Sequence, residues 1–303
     1  MDNLINIAYN VVLPVFLCVG VGALIGRRYS PDPRVLSTLL IYLFTPFLVL
    51  DSLAHSALRA DEIGQIGVVV VALALAMWAV GAALARGFRF DRKLESAFLL
   101  TVILINAGNY GIPVNTFAFG DAGGERALVY YVVSAVVANT LGVYVASRGS
   151  DSVRQSLMNV FKVPLPYAAI LGLAINFGNV TLPVPVDRAV SLLGQAAVPG
   201  MLTLLGLQLA RASVRGRLQP ILLAAGSRLI VAPLIAVGIA AALGMTGLTR
   251  QVCIVQSGMP SAVMSGVLAT EFGSDAEFTS AVIVVSTLAS LATLSVLLAL
   301  VQI

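Results

Sequence analysis

Long apolar runs separated by short polar segments dominate the chain, and they predict a bundle of membrane-spanning helices. Most runs reach about 20 residues, which is the length that a helix needs to cross the hydrocarbon core of a bilayer. The ten predicted spans have the approximate limits Leu4–Arg27, Val35–Ala54, Ile63–Ala85, Ala97–Phe119, Ala127–Ala146, Pro164–Phe177, Ala189–Ala210, Ile221–Leu243, Val252–Ala269 and Phe278–Gln302. The predicted fold class is an all-α membrane protein with ten transmembrane helices.

Composition supports a membrane protein and excludes a soluble domain. Of the 303 residues, 59% are hydrophobic and 11% are charged, against about 25% charged in a soluble domain. The mean hydropathy is +0.98. Cys18 and Cys253 both fall inside apolar spans, where a free cysteine packs as a small residue. We therefore expect no disulfide and no metal site, and we also expect no cofactor and no nucleic-acid partner. The first apolar run is interpreted as a span rather than a signal peptide.

The positive residues of the loops predict the orientation of the bundle. Thirteen Lys and Arg residues lie in loops one, three, five and seven, whereas loops two, four, six and eight hold four. Since Lys and Arg concentrate in cytoplasmic loops, the odd-numbered loops are predicted to face the cytoplasm. Both termini would then be extracellular or periplasmic, in a multi-pass protein of the cell (inner) membrane. The ninth loop departs from this pattern because it carries no Lys or Arg, and its charged residues are Glu271, Asp275 and Glu277.

The two halves of the chain repeat one pattern of prolines and glycines. Glycines follow Pro14 in span one by 6 and 12 residues, and glycines follow Pro166 in span six at the same distances. Three proline pairs have similar offsets of 152, 153 and 147 residues: Pro14 and Pro166, Pro46 and Pro199, and Pro113 and Pro260. Because each half holds an odd number of spans, the predicted repeats are inverted relative to each other. The predicted units are 1–147 (spans one to five), a cytoplasmic linker at 148–162, and 163–303 (spans six to ten).

Polar residues, glycines and prolines interrupt spans four and nine. Span four contains the run from Ile105 to Pro113, and span nine contains the run from Gln256 to Ser261. A proline inside a helix lacks an N–H group, and its ring clashes with the carbonyl four residues earlier, so we predict that the helices break at Pro113 and Pro260. Interrupted helices in matching positions of two halves indicate the binding site of a secondary transporter.

The helix ends exposed at these breaks form a candidate anion site. The N-termini of the second half-helices, placed at Pro113 and Pro260, would carry unpaired N–H groups and about half an elementary positive charge each. Such ends bind anions without a cationic side chain. Nearby polar side chains can hydrogen-bond a carboxylate or the freed backbone, and for Asn115 and Ser257 the second role is favoured. The candidate substrate-binding residues are Asn106, Asn109, Gly111, Pro113, Gln256, Ser257, Pro260, Ser261 and Arg228.

Arg228 lies about ten residues into span eight, near the middle of the membrane. An arginine at this depth costs about 2.5–3.5 kcal/mol on insertion scales, so it is expected to face the protein interior or water. Three roles are open: it neutralises an anionic substrate, it binds carbonyls of the broken helices, or it extends toward the cytoplasm. Asp51 and His55, near the outer end of span two, are predicted to be interfacial. No span carries a Glu, Lys or His near its centre, so a proton relay is not supported.

The motif Asn106-x-Gly108-x-x-Gly111-Ile112-Pro113, with Gln256-x-x-x-Pro260 and Glu271-Phe272, resembles the auxin efflux carrier family, which includes plant PIN proteins and bacterial carriers. The resemblance extends over essentially the whole chain, through Leu13-Pro14, Pro46, Pro199 and the segment from Arg228 to Pro233.

The resemblance implies a fold shared with bile acid–sodium symporters, with two inverted five-helix repeats whose broken helices four and nine cross near the midplane. It also implies a scaffold of spans one, two, six and seven, and an elevator-like transport unit of spans three to five and eight to ten. In the plant carriers the asparagine that matches Asn106 holds the substrate carboxylate. The chain differs from many PIN proteins because it lacks a long hydrophilic central loop and because Ile63–Ala85 contains no charge.

We therefore predict a secondary carrier of small organic anions, either mono- or dicarboxylates, that works by alternating access. A monoanion that leaves a cell at 100 mV, negative inside, gains about 2.3 kcal/mol, which favours export roughly fortyfold in the absence of a coupling cation. Sodium-coupled uptake on the same fold is the alternative, since carbonyls of unwound helices can hold sodium.

An intramembrane enzyme would need two mid-span aspartates or a Ser/His dyad, which the sequence lacks. A channel would be excluded by saturable flux. Membrane lipid is a predicted partner, and a homodimer through the scaffold helices is left open.

Overall fold

The computed structural model describes residues 2–147, 163–211 and 217–301, and the regular structure in these ranges is helical. In chain order the helices are α1 (Ile5–Tyr29), α2 (Pro33–Ala54), α3 (Ala60–Gly87), α4 (Arg92–Ile103), α5 (Ala107–Ala146), α6 (Leu165–Phe177), α7 (Val184–Arg211), α8 (Leu218–Ala242), α9 (Gly247–Ser257), α10 (Val263–Glu271) and α11 (Ala276–Val301). Seven of them (α1, α2, α3, α5, α7, α8 and α11) are long and apolar enough to cross a membrane. The prediction of an all-α membrane protein is confirmed. The predicted linker at 148–162 lies outside the described residues.

Widened helical turns precede four of the prolines that lie within these helices. Each is a five-residue π-helical turn that ends two residues before the proline: Ala8–Val12 before Pro14, Leu40–Phe44 before Pro46, Ala107–Gly111 before Pro113, and Ser227–Val231 before Pro233. A proline ring clashes with the carbonyl four residues earlier in a regular α-helix. The hydrogen bonds of a π turn span five residues, so the local widening moves that carbonyl away from the ring. The helices therefore continue past these prolines.

The helical interruption in the first half of the chain lies earlier than the sequence predicts. Pro113 is buried inside α5, and the prediction that the helix breaks at this residue is wrong because the π turn accommodates the ring. The backbone leaves the helix instead after Ile103, where Leu104 is extended (φ −85°, ψ 123°). The helical run resumes at Ala107. In the second half α9 ends at Ser257, and α10 begins at Val263 rather than at Pro260.

The two non-helical segments lie side by side and are joined by backbone hydrogen bonds. The Asn106 N–H donates to the Pro260 carbonyl oxygen at 2.9 Å, and the Ala262 N–H donates to the Leu104 carbonyl oxygen at 2.9 Å. The bridge between them is antiparallel. An unpaired peptide group away from water costs several kcal/mol inside a membrane. The two segments therefore satisfy each other's backbone groups.

A kink divides α5 into two parts. Gly120 has φ +69° and ψ −164°, a combination in the left-handed half of backbone space that glycine adopts without the steric cost of a Cβ atom. Apart from its chain neighbours and the adjacent backbone of α5, no atom lies within 4 Å of the position that a Cβ would occupy there. The kink falls directly after Phe119, the predicted end of span four.

Glycines allow α1, α2, α6 and α7 to pack with their backbones in close contact. A Cβ atom on Gly206 of α7 would lie 2.2 Å from the carbonyl oxygen of Val19 in α1. A Cβ on Gly172 of α6 would lie 3.1 Å from the carbonyl oxygen of Leu50 in α2, and one on Gly194 of α7 would lie 3.0 Å from the backbone of α2. Close approach through small residues is the usual way in which membrane helices associate. These four helices form one tightly packed group.

Arg126 of α5 connects α3 and α9. Its Nη2 atom lies 2.8 Å from the Glu62 carboxylate, and its Nε donates to the Thr249 hydroxyl at 2.8 Å. The Thr249 hydroxyl donates to the same carboxylate. The Arg126 and Glu62 side chains are 15% and 20% exposed, so water screens this pair only weakly.

Replacing Arg126 with methionine is expected to lower the free energy of unfolding by about 1.5–3 kcal/mol, because hydrogen bonds to a charged group are lost in a partly buried place. Arg59 is the matched control, since its pair with Asp61 is 77% and 56% exposed. Arg59→Met is expected to change stability by less than about 0.5 kcal/mol. Thermal unfolding of the purified variants in detergent measures both. Equal losses for the two substitutions would contradict the assignment of a stabilising role to the buried network.

Candidate functional site

A cavity of about 290 Å³ reaches the non-helical segment between α4 and α5. Most of the side chains that line it are apolar. The lining residues come from α2, α3, α5, α7 and α10 among other elements, and α8 contributes Arg228. Its polar lining includes Ser37, Asn106, Asn109, Asn139, Gln208 and Arg228. The volume and the mixed lining are those of a site for a small molecule with a polar and an apolar part.

The cavity extends toward one side of the bundle. Ser37, Val163 and Gln208 line it, and they lie at the ends of α2, α6 and α7 that adjoin loops one, five and seven. Hydrogen bonds join α2, α5 and α6 near the even-numbered loops. There the Ser56 hydroxyl donates to the Glu125 carboxylate at 2.8 Å, and the Asn176 amide donates to the Ser56 carbonyl oxygen at 2.7 Å.

Asn106 presents an unpaired amide at the inner end of this cavity. Its side chain is 5% exposed, and its Nδ2 atom has no hydrogen-bond partner among the described residues. Its backbone is held on both sides, since its N–H donates to Pro260 and its carbonyl accepts from the Gly111 N–H at 3.0 Å. A buried donor without a partner costs about 1–3 kcal/mol. Asn106 therefore has a hydrogen-bond donor without a partner and also lines the cavity.

Two helix N-termini border the same space. Gly108 and Asn109, in the first turn of α5, line the cavity, and so do Val263 and Met264, in the first turn of α10. The first N–H groups of a helix have no partner within the helix, and they carry about half an elementary positive charge. The cavity therefore borders the N-terminal ends of two helices, which begin at Ala107 and Val263 rather than at Pro113 and Pro260.

Arg228 neutralises the opposite, C-terminal ends of the preceding helices. Its Nη1 atom donates to the Val102 carbonyl oxygen in the last turn of α4 at 2.9 Å, and its Nη2 atom donates to the Ser257 carbonyl oxygen at the end of α9. The side chain is 1% exposed and lines the cavity. Among the three roles considered from the sequence, these contacts match the binding of carbonyls at the helix ends.

The remaining candidate residues lie behind the cavity wall. Gln256 is fully buried, and its Nε2 atom donates to the carbonyl oxygens of Ala107 (3.4 Å) and Ala127 (3.3 Å). A Cβ on Gly111 would lie 2.1 Å from the Gln256 Oε1 atom, so a larger residue there would displace this amide. The Ser261 hydroxyl donates to the Thr101 carbonyl oxygen at 2.7 Å.

The Asn115 and Ser257 side chains hydrogen-bond backbone groups of their own helices. This is the role that the sequence analysis favoured for both residues. Asn115 Nδ2 donates to the Gly111 carbonyl oxygen at 2.8 Å, and the Ser257 hydroxyl donates to the Ile254 carbonyl oxygen at 2.5 Å. Of the nine candidates, Asn106, Asn109 and Arg228 line the cavity, whereas Gly111, Pro113, Gln256, Ser257, Pro260 and Ser261 do not.

Comparison with known sequences identifies the family. Residues 7–298 match the family described as "Membrane transport protein". The chain belongs to this family of membrane transporters. The resemblance to the auxin efflux carriers is thereby confirmed. The transporter is 29% identical over 291 residues to an uncharacterized transporter of Methanothermobacter thermautotrophicus, covering 93% of this chain and 95% of that protein. It is 26% identical over 295 residues to an uncharacterized transporter of Methanocaldococcus jannaschii, covering 94% and 96%.

The transporter has cavity-lining residues in α5 that the sequence prediction did not name. They include Tyr130, Tyr131, Ser134, Ala135, Ala138 and Asn139. They form two series with a spacing of four residues, 130/134/138 and 131/135/139, which places them on one face of the helix. Polar groups at this spacing in an apolar run are the signal that would have identified the face. By contrast Asp51 and His55 lie with Asp187 in a polar cluster of α2 and α7 that does not line the cavity.

Proposed function

We propose that this transporter is a secondary carrier of small organic anions and that it binds the substrate carboxylate at the Asn106 end of the cavity. The observation that carries the proposal is the convergence of the unpaired Asn106 amide with the N-terminal turns of α5 and α10 on one end of a cavity. Donors fixed by backbone geometry bind an anion well because they need little reorganisation.

The electrostatics of the helix ends favour anions over cations in this cavity. The positive ends of α5 and α10 border it, whereas Arg228 offsets the negative ends of α4 and α9. A carboxylate near Asn106 would therefore meet two unneutralised helix dipoles of favourable sign. Each such interaction contributes about 0.3–1 kcal/mol at an exposed site and up to about 2 kcal/mol in a partly buried one.

The cavity lining favours monocarboxylates with an apolar body. Beyond the Asn106 end the wall is formed largely by aliphatic side chains and by Tyr130 and Tyr131, and Arg228 is the one cationic side chain that lines it within the described residues. Burial of an apolar body gains about 25 cal/mol per Å². A second carboxylate at the far end of a dicarboxylate would lose water without a cation to compensate it.

For the architecture we propose ten spans in two inverted repeats. The interrupted span four would be α4 with the part of α5 before Gly120, and the rest of α5 would be span five. The counterpart of span four would be α9 with α10. The group of α1, α2, α6 and α7 would be the scaffold, and the other helices would be the transport unit of an elevator. Since the cavity extends toward loops one, five and seven, which the positive residues assign to the cytoplasm, this conformation would be inward-facing. Without a coupling cation, the membrane potential would drive export from the cell.

A thermal-shift panel on the purified protein tests the proposed substrate class. Hexanoate, the dicarboxylate adipate and the neutral hexanamide share one chain length and differ in charge. We expect hexanoate to raise Tm most, adipate less and hexanamide not at all. A ligand at a hundred times its Kd stabilises a protein by about 2.7 kcal/mol, which such an assay detects. Stabilisation by hexanamide equal to that by hexanoate would contradict an anion site, and a preference for adipate would contradict monocarboxylate selectivity.

A further inference from the structure

We infer that Arg228 is a tethered cation that occupies the place of a coupling ion, so that this carrier binds its anion without sodium or another alkali cation. The inference deepens the proposed function and rests on it for the transport step. Its structural basis is the position of one permanently charged guanidinium between the ends of two helices that come from different halves of the chain.

The first argument is charge balance. Each helix C-terminus is equivalent to about −0.5 elementary charge, so the ends of α4 and α9 together offset about one positive charge. A guanidinium stays protonated in proteins and therefore supplies that charge permanently. No carboxylate lies within 4.0 Å of it in the part of the chain that the structure describes. The helix ends are thus the counter-charge of Arg228, and they need no free cation.

The second argument is the use of the carbonyl oxygens. An alkali cation at interrupted helices is held by backbone carbonyls freed from helical hydrogen bonds. At this place such oxygens already accept hydrogen bonds from protein donors. Arg228 donates to Val102 and Ser257, and the Ser261 hydroxyl donates to Thr101. The backbone bridge uses the carbonyls of Leu104 and Pro260.

The third argument is the position of the charge relative to the cavity. Arg228 lines the cavity, but both of its terminal nitrogens bind the helix ends. It therefore acts as a positioning residue that holds the C-terminal ends of α4 and α9 beside each other. Arg211 offers a matched comparison. Its Nη2 atom also donates to two carbonyl oxygens, those of Ser30 and Pro31, but it is exposed at the end of α7.

The test begins with wild-type protein in sodium chloride or choline chloride at one ionic strength. Binding of hexanoate, or of the best carboxylate of the panel, is expected to be equal in both within about twofold. Affinity higher in sodium by about fivefold or more, the lower end of typical coupling between ligands, would overturn the inference. If no carboxylate binds, the proposed function fails, and the variants described next still decide the role of Arg228.

Those variants are measured without any carboxylate. Arg228→Ala is expected to lower Tm strongly, and guanidinium chloride at low millimolar concentration is expected to restore part of the loss by entering the vacated space. Arg211→Ala is expected to show little loss and no restoration. An Arg228→Ala protein as stable as wild type, or one that responds to guanidinium no differently from Arg211→Ala, would overturn the inference. If Arg228→Ala cannot be purified, Arg228→Lys replaces it, with an intermediate loss expected because one ammonium cannot reproduce the planar fork.

Discussion

Replacing Asn106 with aspartate is expected to abolish carboxylate binding, with a loss of affinity of at least about a hundredfold. The substitution keeps the shape of the side chain but places a negative charge where the proposed substrate carries its own. Two like charges about 4 Å apart repel by about 4 kcal/mol at the effective dielectric of a protein, and each 1.4 kcal/mol changes an equilibrium constant about tenfold.

Asn106→Ala separates the loss of a hydrogen bond from the added repulsion. It removes the unpaired Nδ2 donor and leaves the backbone bonds of residue 106 to Pro260 and Gly111 intact. The expected loss of affinity is about tenfold or more, since a hydrogen bond to a charged group contributes about 1.5–3 kcal/mol. The protein should remain folded because this side chain stabilises no neighbour.

Asn139→Asp is the matched control, since Asn139 also lines the cavity but lies near the end of α5 that adjoins loop five. It is expected to weaken binding much less than Asn106→Asp. Isothermal titration calorimetry with hexanoate measures all three variants. Unchanged affinity in Asn106→Asp would remove Asn106 from the site. Equal losses in both aspartate variants would indicate a general charge effect rather than a local contact.

Gly206→Ala is expected to prevent α1 and α7 from packing, with a loss of stability larger than that of any other single methyl group added to this pair of helices. The new Cβ would lie 2.2 Å from the Val19 carbonyl oxygen and 2.7 Å from the Ala23 nitrogen. Both atoms belong to the backbone of α1, so no side-chain rotation relieves the clash. Overpacking costs about 1–3 kcal/mol when side chains can adjust, and more is expected where whole helices must separate.

Gly20→Ala provides the control on the same pair of helices. Gly20 lies in α1, and no atom beyond its chain neighbours and the adjacent backbone of α1 is within 4 Å of the position of its Cβ. Alanine is a better helix former than glycine by about 1 kcal/mol, so this variant should be as stable as wild type or slightly more stable. Thermal unfolding and size-exclusion chromatography in detergent distinguish the two. Normal folding of Gly206→Ala would show that α1 and α7 can move apart at little cost.

The sequence identified the helices and the candidate segments because both signals are local. Apolar length predicts a span, and clustered Asn, Gly and Pro residues predict an irregular segment. The position of the interruption was wrong in the first half because a proline in a helix can be accommodated by a π turn, which Pro113 shares with Pro14, Pro46 and Pro233. In all four cases the π turn ends two residues before the proline, and the helix continues past it.

The contacts between distant residues could not be predicted from local patterns. Nothing near Arg228 in the sequence indicates that its guanidinium reaches Val102 and Ser257, which lie in two other helices. Likewise a glycine such as Gly206 reads as an ordinary small residue until the packing partner is known. The role of Gln256 was also undetermined, since a buried amide can bind a ligand or a carbonyl. The structure places it against the carbonyls of Ala107 and Ala127.

The bridge between residues 104–106 and 260–262 is made of main-chain groups alone. Any side chain except proline at the two donor positions, Asn106 and Ala262, leaves those bonds available. Substitutions of the side chains that line the adjacent cavity would therefore leave the backbone bridge intact. Related transporters can in this way differ in the side chains that line the cavity and keep the same connection between the two interrupted segments.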